Sequence, residues 1–422
     1  MCAHTFAAPG AYRTWITGVG NELRWACEAC AAQYPSAAPD QPIDDAWWQT
    51  NRYEGYSIGY VGGVGVPEVR RQITTAHFVA HTGPLPIGAD VVDVQPWHGH
   101  GDAWLVLHAS GDLAIWPPTD DAVVAPRDLG FPIDDGCALV VSRRGGHAAI
   151  VQASGSEGAL FDLATGAIVA RLHRGTYHVE NSRFPCAFVD HDGHELLVVG
   201  SEWNRLELVD VATGADLASR PEVPHASPLP RHYLDYFHGL LVGSPDGASV
   251  ADAGWVWHPV GIVRVWRLDA WLTNPWESED GPSLRTLPML QDWDGPMCWI
   301  DDQTLIRYGW SDGDEWQLPA ISVLDATTGA VKRWFVGPNV RPAPAWPPRT
   351  LRGALGDALV FDEVLFAISD THGIEAWDVA TGTCIAHAPT LTPVRYHPTA
   401  RVFLSLLPDG GALLSRFVMA SP

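Results

Sequence analysis

Ile374-Glu-Ala-Trp-Asp-Val-Ala-Thr-Gly382 is a short apolar strand running into a tight turn. Its turn half recurs as Asp162-Leu-Ala-Thr-Gly166, Asp210-Val-Ala-Thr-Gly214, Asp325-Ala-Thr-Thr-Gly329 and Asp378-Val-Ala-Thr-Gly382. Each copy follows an apolar stretch (159–161, 206–209, 321–324, 374–377) and precedes another (167–172, 215–219, 330–336, 383–387). Asp caps nearby backbone amides and Gly supplies a positive φ, so the phrase predicts a hairpin turn between two strands. The stretch between the second and third copies has room for one more, degenerate unit. Gly243-Ser-Pro-Asp-Gly247 reads as its turn, 249–252 as a strand, and Ile262-Val-Arg-Val-Trp266 as the next strand.

Trp377-Asp378 at the end of a third strand resembles the WD-repeat pattern of β-propellers; elsewhere Trp266 is followed by Arg267 and Trp116 by Pro117. The resemblance covers roughly residues 70–420 and implies an all-β, seven-bladed β-propeller, a fold that hosts many functions. The units span about 89–130, 136–175, 183–222, 235–287, 294–337, 355–390 and 391–420. The last has room for three strands, at 393–397, 401–406 and 412–418. Residues 72–81 alternate apolar and polar side chains, and are expected to add the missing outer strand so that no edge stays open. This predicts a propeller over 72–422, a connector over 36–71 and a small module over 1–35.

Composition narrows the function. The chain has 422 residues, 49 acidic and 26 basic, for a net charge of −23, and a single lysine, Lys332. Gly-Lys-Ser/Thr is absent, so there is no P-loop, and lysine catalysis has one candidate. Nucleic-acid backbone affinity needs clustered cations, so no nucleic-acid partner is expected. No apolar run is long enough to suggest a membrane span, and no basic stretch followed by an apolar one suggests a leader. Seven cysteines, three of them before residue 31, fit a reducing, cytoplasmic setting better than a disulfide framework.

Near the N-terminus Cys2-Ala-His4 is followed by Cys27-Glu-Ala-Cys30. Residues 12–17 and 22–26 read as strands joined by Gly18-Val-Gly-Asn21, so a hairpin would bring the two pairs together. Thiolates and a neutral imidazole suit a tetrahedral structural Zn²⁺, which supplies folding energy that so short a segment lacks. The segment resembles a zinc ribbon, with Cys2, His4, Cys27 and Cys30 as ligands; one intervening residue in the first pair departs from the usual two. A rival reading makes Cys2 an N-terminal nucleophile.

On a WD-type propeller the loops between second and third strands share a face with the blade-joining loops. That face is expected to carry Trp203, Trp255, Trp257, Trp310 and Trp316, with Glu202, Asp312, Asp314 and Glu315 around them, and Tyr177, His178, Tyr233 and Trp293 from the joining loops. Turns do not require tryptophan, so these residues either recognise a partner or pack beneath the loops. His98-Gly-His100-Gly-Asp102 and His191-Asp-Gly-His194-Glu195 fall in first-to-second turns on the opposite face and read as turn residues. No Gly-x-Ser-x-Gly or His-Glu-x-x-His motif occurs. Two functions remain open. One is a non-catalytic scaffold that binds a protein or peptide, a basic one by charge. The other is an enzyme or small-molecule-binding propeller that uses the central funnel.

Overall fold

The computed structural model describes residues 71–73, 76–81, 85–88, 90–220, 232–257, 260–290, 293–310, 318–338, 358–369 and 372–419, and the backbone of two strands nearer the N-terminus. Seven antiparallel sheets follow one another along the chain. Blade 1 holds Val91–Pro96, Trp104–His108 and Leu113–Trp116. Blade 2 holds Cys137–Val141, His147–Gln152, Glu157–Asp162 and Ile168–His173. Blade 3 has Cys186–His191, His194–Glu202 and Arg205–Asp210. Blade 4 has Phe237–Gly243, Ser249–Val256, Val260–Arg267 and the short Arg285–Thr286. Blade 5 runs through Met297–Trp299, Thr304–Trp310, Leu318–Asp325 and Val331–Val336. Blade 6 runs through Ala358–Asp362, Val364–Ser369, Gly373–Asp378 and Thr383–Ala388. Blade 7 has Arg395–His397, Val402–Leu406 and Gly411–Val418.

The chain closes on itself at blade 7. His77–Ala80 pairs with the last strand in the register Ser415↔Ala80, Arg416↔Val79, Phe417↔Phe78 and Val418↔His77. Phe78 lies 5.1 Å from the Phe417 ring and 5.9 Å from Phe403. Seven apolar clusters form the core, each between two consecutive blades. The seventh joins blade 7 to blade 1, with Val402, Leu404, Ala412 and Leu414 against Val94, Trp104, Val106 and Trp116. A fold cored between its sheets must complete the ring, or one face of each terminal sheet stays wet. The molecule is a seven-bladed β-propeller.

The recurring phrase folds as a shared device. Asp162 Oδ1 accepts from the Thr165 amide (2.8 Å) and hydroxyl (2.6 Å), and the Gly166 amide donates back to the Asp162 carbonyl at 2.8 Å. Asp210 with Thr213 and Gly214 repeats it. Asp378 with Thr381 and Gly382 does so in slightly altered form. The four glycines have φ between 69° and 78°, a region costly for other residues.

Three features depart from a regular repeat of four strands. Residues 215–219 form only an isolated bridge, Val209↔Asp216, because the chain turns away toward Arg220, whose guanidinium ion-pairs with buried Glu279 at 2.6 Å. Two one-turn helices, Leu268–Trp271 and Glu277–Asp280, interrupt blade 4 and bring Glu279 there. Blade 1 has three strands and no fourth among the described residues. Near the N-terminus Tyr12–Ile16 pairs with Leu23–Cys27, which sets residue 12 opposite residue 27.

Candidate binding face

The turn that joins the second and third strands of blade 3 carries Trp203; the corresponding turn of blade 4 carries Trp257. Between them sits Phe237, the first residue of blade 4. Its ring is stacked on Trp255 at 4.0 Å and lies 4.5 Å from Trp203 and 5.4 Å from Trp257. Tyr177 joins Trp203 at 5.4 Å, His178 meets Trp257 at 5.1 Å, and Trp293 lies 5.5 Å from Trp255. The result is one contiguous aromatic cluster with a buried floor and an open top. Phe237 and Trp255 are 2% and 3% exposed, whereas Tyr177 and Trp257 are 48% and 41% exposed.

The floor is anchored by hydrogen bonds. Trp255 Nε1 donates to Ser182 Oγ at 2.7 Å, and Trp293 Nε1 donates to the Asn181 carbonyl at 3.2 Å. Both acceptors lie in the connector from blade 2 to blade 3, whose one-turn 3-10 helix is Val179–Asn181. Arg174 holds that connector: its guanidinium donates to the carbonyls of Gly155, Val179, Ser182 and Arg183 at 2.7–2.9 Å. Burial pulls its pKa down to about 10, so it stays charged at neutral pH. Asn204 Nδ2 donates to the Leu234 carbonyl at 2.6 Å and ties the Trp203 turn to the next connector. The rings are therefore held in place before any partner arrives.

Trp203, Trp255 and Trp257 are brought together, but Trp255 belongs to the strand Ser249–Val256 and to the floor, not to a loop as its position suggests. It is drawn inward because Phe237 from the neighbouring strand offers a flat apolar partner. Trp310 ends a strand and stacks on Trp334 at 4.3 Å, apart from this cluster. Glu202 is exposed beside the Trp203 turn. Trp316, Asp312, Asp314 and Glu315 lie outside the described residues, as do Cys2, His4 and Cys30 and the side chain of Cys27. The central member, Phe237, escaped the sequence reading; its one signal is the aromatic density of Tyr233-Leu-Asp-Tyr-Phe237.

Charged groups at the first strands are spent on one another and on backbone. Asp93 accepts from Arg395 (2.8 Å) and from the Leu139 amide (2.8 Å). Asp294 accepts from the Arg183 and Leu240 amides at 3.1 and 2.8 Å, and burial raises its carboxyl above the usual range. His238 Nδ1 is 2.5 Å from Asp252 Oδ2, and both side chains are buried. Cys186, Cys298 and Cys384 have thiols pushed up to about 12, with burial as the main cause, so they are poor nucleophiles. Among the described residues no three His, Cys, Asp or Glu side chains are grouped to hold a metal ion. No helix among them is long and apolar enough to cross a membrane.

No protein-family model matches the chain, and no curated protein matches it. Solved structures do resemble it. A chain of a mitotic checkpoint complex is 11% identical with a TM-score of 0.46, over 84% of this chain and all of that one. The RRP9 WD40 repeats are 11% identical with a TM-score of 0.48, over 83% of this chain and all of that one. U3-55K is 10% identical with a TM-score of 0.46, over 80% of this chain and 98% of that one. The assignment of a seven-bladed propeller rests on the blades and their seven cores.

Proposed function

We propose that the protein is a non-catalytic scaffold that binds a protein or peptide through the aromatic end of blades 3 and 4. The observation that carries this is the pairing of exposed Tyr177 and Trp257 with a buried, hydrogen-bonded floor of Phe237 and Trp255. Rigid aromatic anchors over a desolvated base are what interface hot spots are made of. Glu180 and Glu202 are exposed nearby, and Asp235 adjoins Tyr233, so the rim favours a partner with arginine or lysine, through ion pairing and cation–π contact. Capture of partners from the native host with wild type and with Trp257→Ala, Tyr177→Ala and Trp203→Ala tests the reading. Loss of the same partner in these folded variants, and its retention in His98→Ala and His191→Ala on the opposite face, is expected; the reverse pattern would overturn it.

The N-terminal module is proposed to hold one structural zinc through Cys2, His4, Cys27 and Cys30, in a reducing, cytoplasmic setting. The pairing of Tyr12–Ile16 with Leu23–Cys27 supports a hairpin that carries Cys27 at its end. Metal analysis in reducing buffer is expected to give one zinc per chain, lost in Cys27→Ser without loss of the propeller's own melting transition. A chain free of zinc with all four residues intact would refute it.

A second reading, a small-molecule or catalytic site in the funnel, draws on one observation. His238 Nε2 is buried with no hydrogen-bond partner among the described residues, while its other nitrogen meets Asp252. A compound that raises the melting temperature of wild type and not of His238→Gln would favour this reading over the scaffold.

A further inference from the structure

Blade 1 ends in Leu113–Trp116, a strand with no further strand paired to it among the described residues. The His108 amide donates to the Asp112 carbonyl at 3.0 Å, and the register continues as Leu107↔Leu113, Val106↔Ala114, Leu105↔Ile115 and Trp104↔Trp116. Antiparallel ladders alternate, so Ala114 and Trp116 exchange bonds with the neighbouring strand, and the amides and carbonyls of Leu113 and Ile115 point the other way. No described residue bonds to those four groups. The chain that follows, described without a break through residue 220, does not return along this edge. Pro117 and Pro118 follow the strand, and residues 123–130 cross to blade 2, where the Val124 amide donates to the Leu163 carbonyl at 2.9 Å and Arg171 grips the Asp128 carbonyl at 2.7 Å. Between the Ala109–Leu113 turn and this crossing segment lies a groove of about 840 Å³, within the range of ligand clefts.

We propose that this groove and strand edge take an extended, basic peptide segment of a partner, which adds to blade 1 as its fourth strand. Backbone recognition comes from the outward groups of Leu113 and Ile115, the usual basis of strand addition. The sign of the side chains comes from charge. Asp112 and Asp128 line the groove, and Asp120, Asp121, Asp134 and Asp135 flank it, all exposed; against them stands exposed Arg127, since Arg171 is engaged with the crossing segment. Half-buried Leu113, Val123, Phe131 and Ile133 line the groove and supply an apolar base for the alternate side chains of such a peptide. This surface is separate from the aromatic end of blades 3 and 4 and does not depend on its function.

The test uses the full-length protein and an acetylated Arg-Val-Arg-Val-Arg-Val peptide, with Glu-Val-Glu-Val-Glu-Val as comparison. Amide hydrogen exchange is expected to be fast at Leu113 and Ile115 in the free protein and slowed by the Arg-Val peptide. Ile115→Pro and Leu113→Pro delete an outward amide and no bond of the ladder, at the cost of some side-chain packing, and each should weaken binding more than about tenfold. Asp112→Lys keeps every backbone amide of the edge, so it reports even if a proline variant misfolds; it should shift the preference toward Glu-Val. Slow exchange at Leu113 and Ile115 in the free chain would mean that the protein's own chain already covers the edge, and would overturn the proposal. So would protection that falls on Trp203 and Trp257 instead, unaltered binding by the folded proline variants, or equal binding of both peptides by wild type.

Discussion

Blades 7 and 1 meet at the seam of the ring, yet their outer edges end in opposite ways. Blade 7 contributes three strands after residue 394 and borrows His77–Ala80 from the start of the propeller. Blade 1 also has three strands, and its chain leaves through Pro117-Pro118 toward blade 2. The same physics acts on both: an unpaired edge is satisfied by water, by the chain itself or by another chain. At blade 7 the satisfying strand also brings Phe78 against Phe366, Phe403 and Phe417, so apolar burial reinforces the ladder. At blade 1 the apolar residues that follow the strand are spent on the interface with blade 2. One edge is locked by the chain's own strand, and the outward groups of the other meet no described residue.

If the seam is a lock, its polar core should be the costliest place to break it. Arg395 of blade 7 reaches Asp93 of blade 1 at 2.8 Å, and Asp93 also accepts from the Leu139 amide of blade 2. Asp93 is 2% exposed. Arg395→Ala would leave that carboxylate buried with its amide donors alone, a change that typically costs about 3–5 kcal/mol. Denaturant unfolding of wild type and Arg395→Ala measures it; a cost below about 1 kcal/mol would show that the seam does not hold the ring. Next comes the borrowed strand. The His81 amide donates to the Leu414 carbonyl at 2.7 Å, so alternation directs the Val79 amide at Arg416. Val79→Pro deletes a ladder bond and should cost about 2–3 kcal/mol, with unfolding at lower denaturant in the same assay.

The seam should also respond to pH. His397 of blade 7 donates from Nε2 to the Ala103 carbonyl of blade 1 at 3.1 Å and accepts the Ala400 amide at Nδ1. Burial first, then the Ala103 and Asp102 contacts working against it, leave its pKa below the ordinary histidine value. His98 nearby is lowered by burial and by its neighbours His397 and Arg143. The unfolded chain therefore binds protons that the folded seam resists. Stability is full above the unfolded value of about 6.5 and falls as pH drops below it. Melting temperature should decline between about pH 6.5 and pH 5, and His397→Gln, which keeps one donor and one acceptor, should flatten that decline. An unchanged slope would place the pH response elsewhere.

What could be read in advance follows from how locally each feature is determined. The Asp-x-x-Thr-Gly turns were legible because the bonds that form them join residues within one five-residue phrase. Trp266 and Trp377, both at strand ends where the repeat places them, are fully buried. Trp255 misled because its fate is decided by Phe237 and Ser182, distant in sequence. The open edge of blade 1 was hidden for the same reason. Leu129, Phe131 and Ile133 alternate as a fourth strand would, but Leu163 and Arg171 of the next blade hold the backbone of residues 124–129. In the proposed binding face Trp203 and Trp257 were visible, while the Arg174 clamp beneath them was not, since a buried arginine that serves four carbonyls leaves no pattern in its own segment.

The smallest expected effect is the sharpest test of the contrast between the two edges. Proline at a strand position harms the sheet only if the amide it removes is in use and the required φ is unavailable. Val79 and Ile115 are both in outer strands of seam blades, and a proline at either removes one N–H. The Val79 amide faces a partner strand, and that of Ile115 faces outward with no described residue bonded to it. Ile115→Pro also loses some side-chain contact with the core between blades 1 and 2, so its cost should be about 1 kcal/mol, against about 2–3 kcal/mol for Val79→Pro. Urea unfolding of the two variants in parallel, with unchanged slope in each, gives the comparison directly. Equal costs would mean that the Ile115 amide is already engaged and that blade 1, like blade 7, is closed by its own chain.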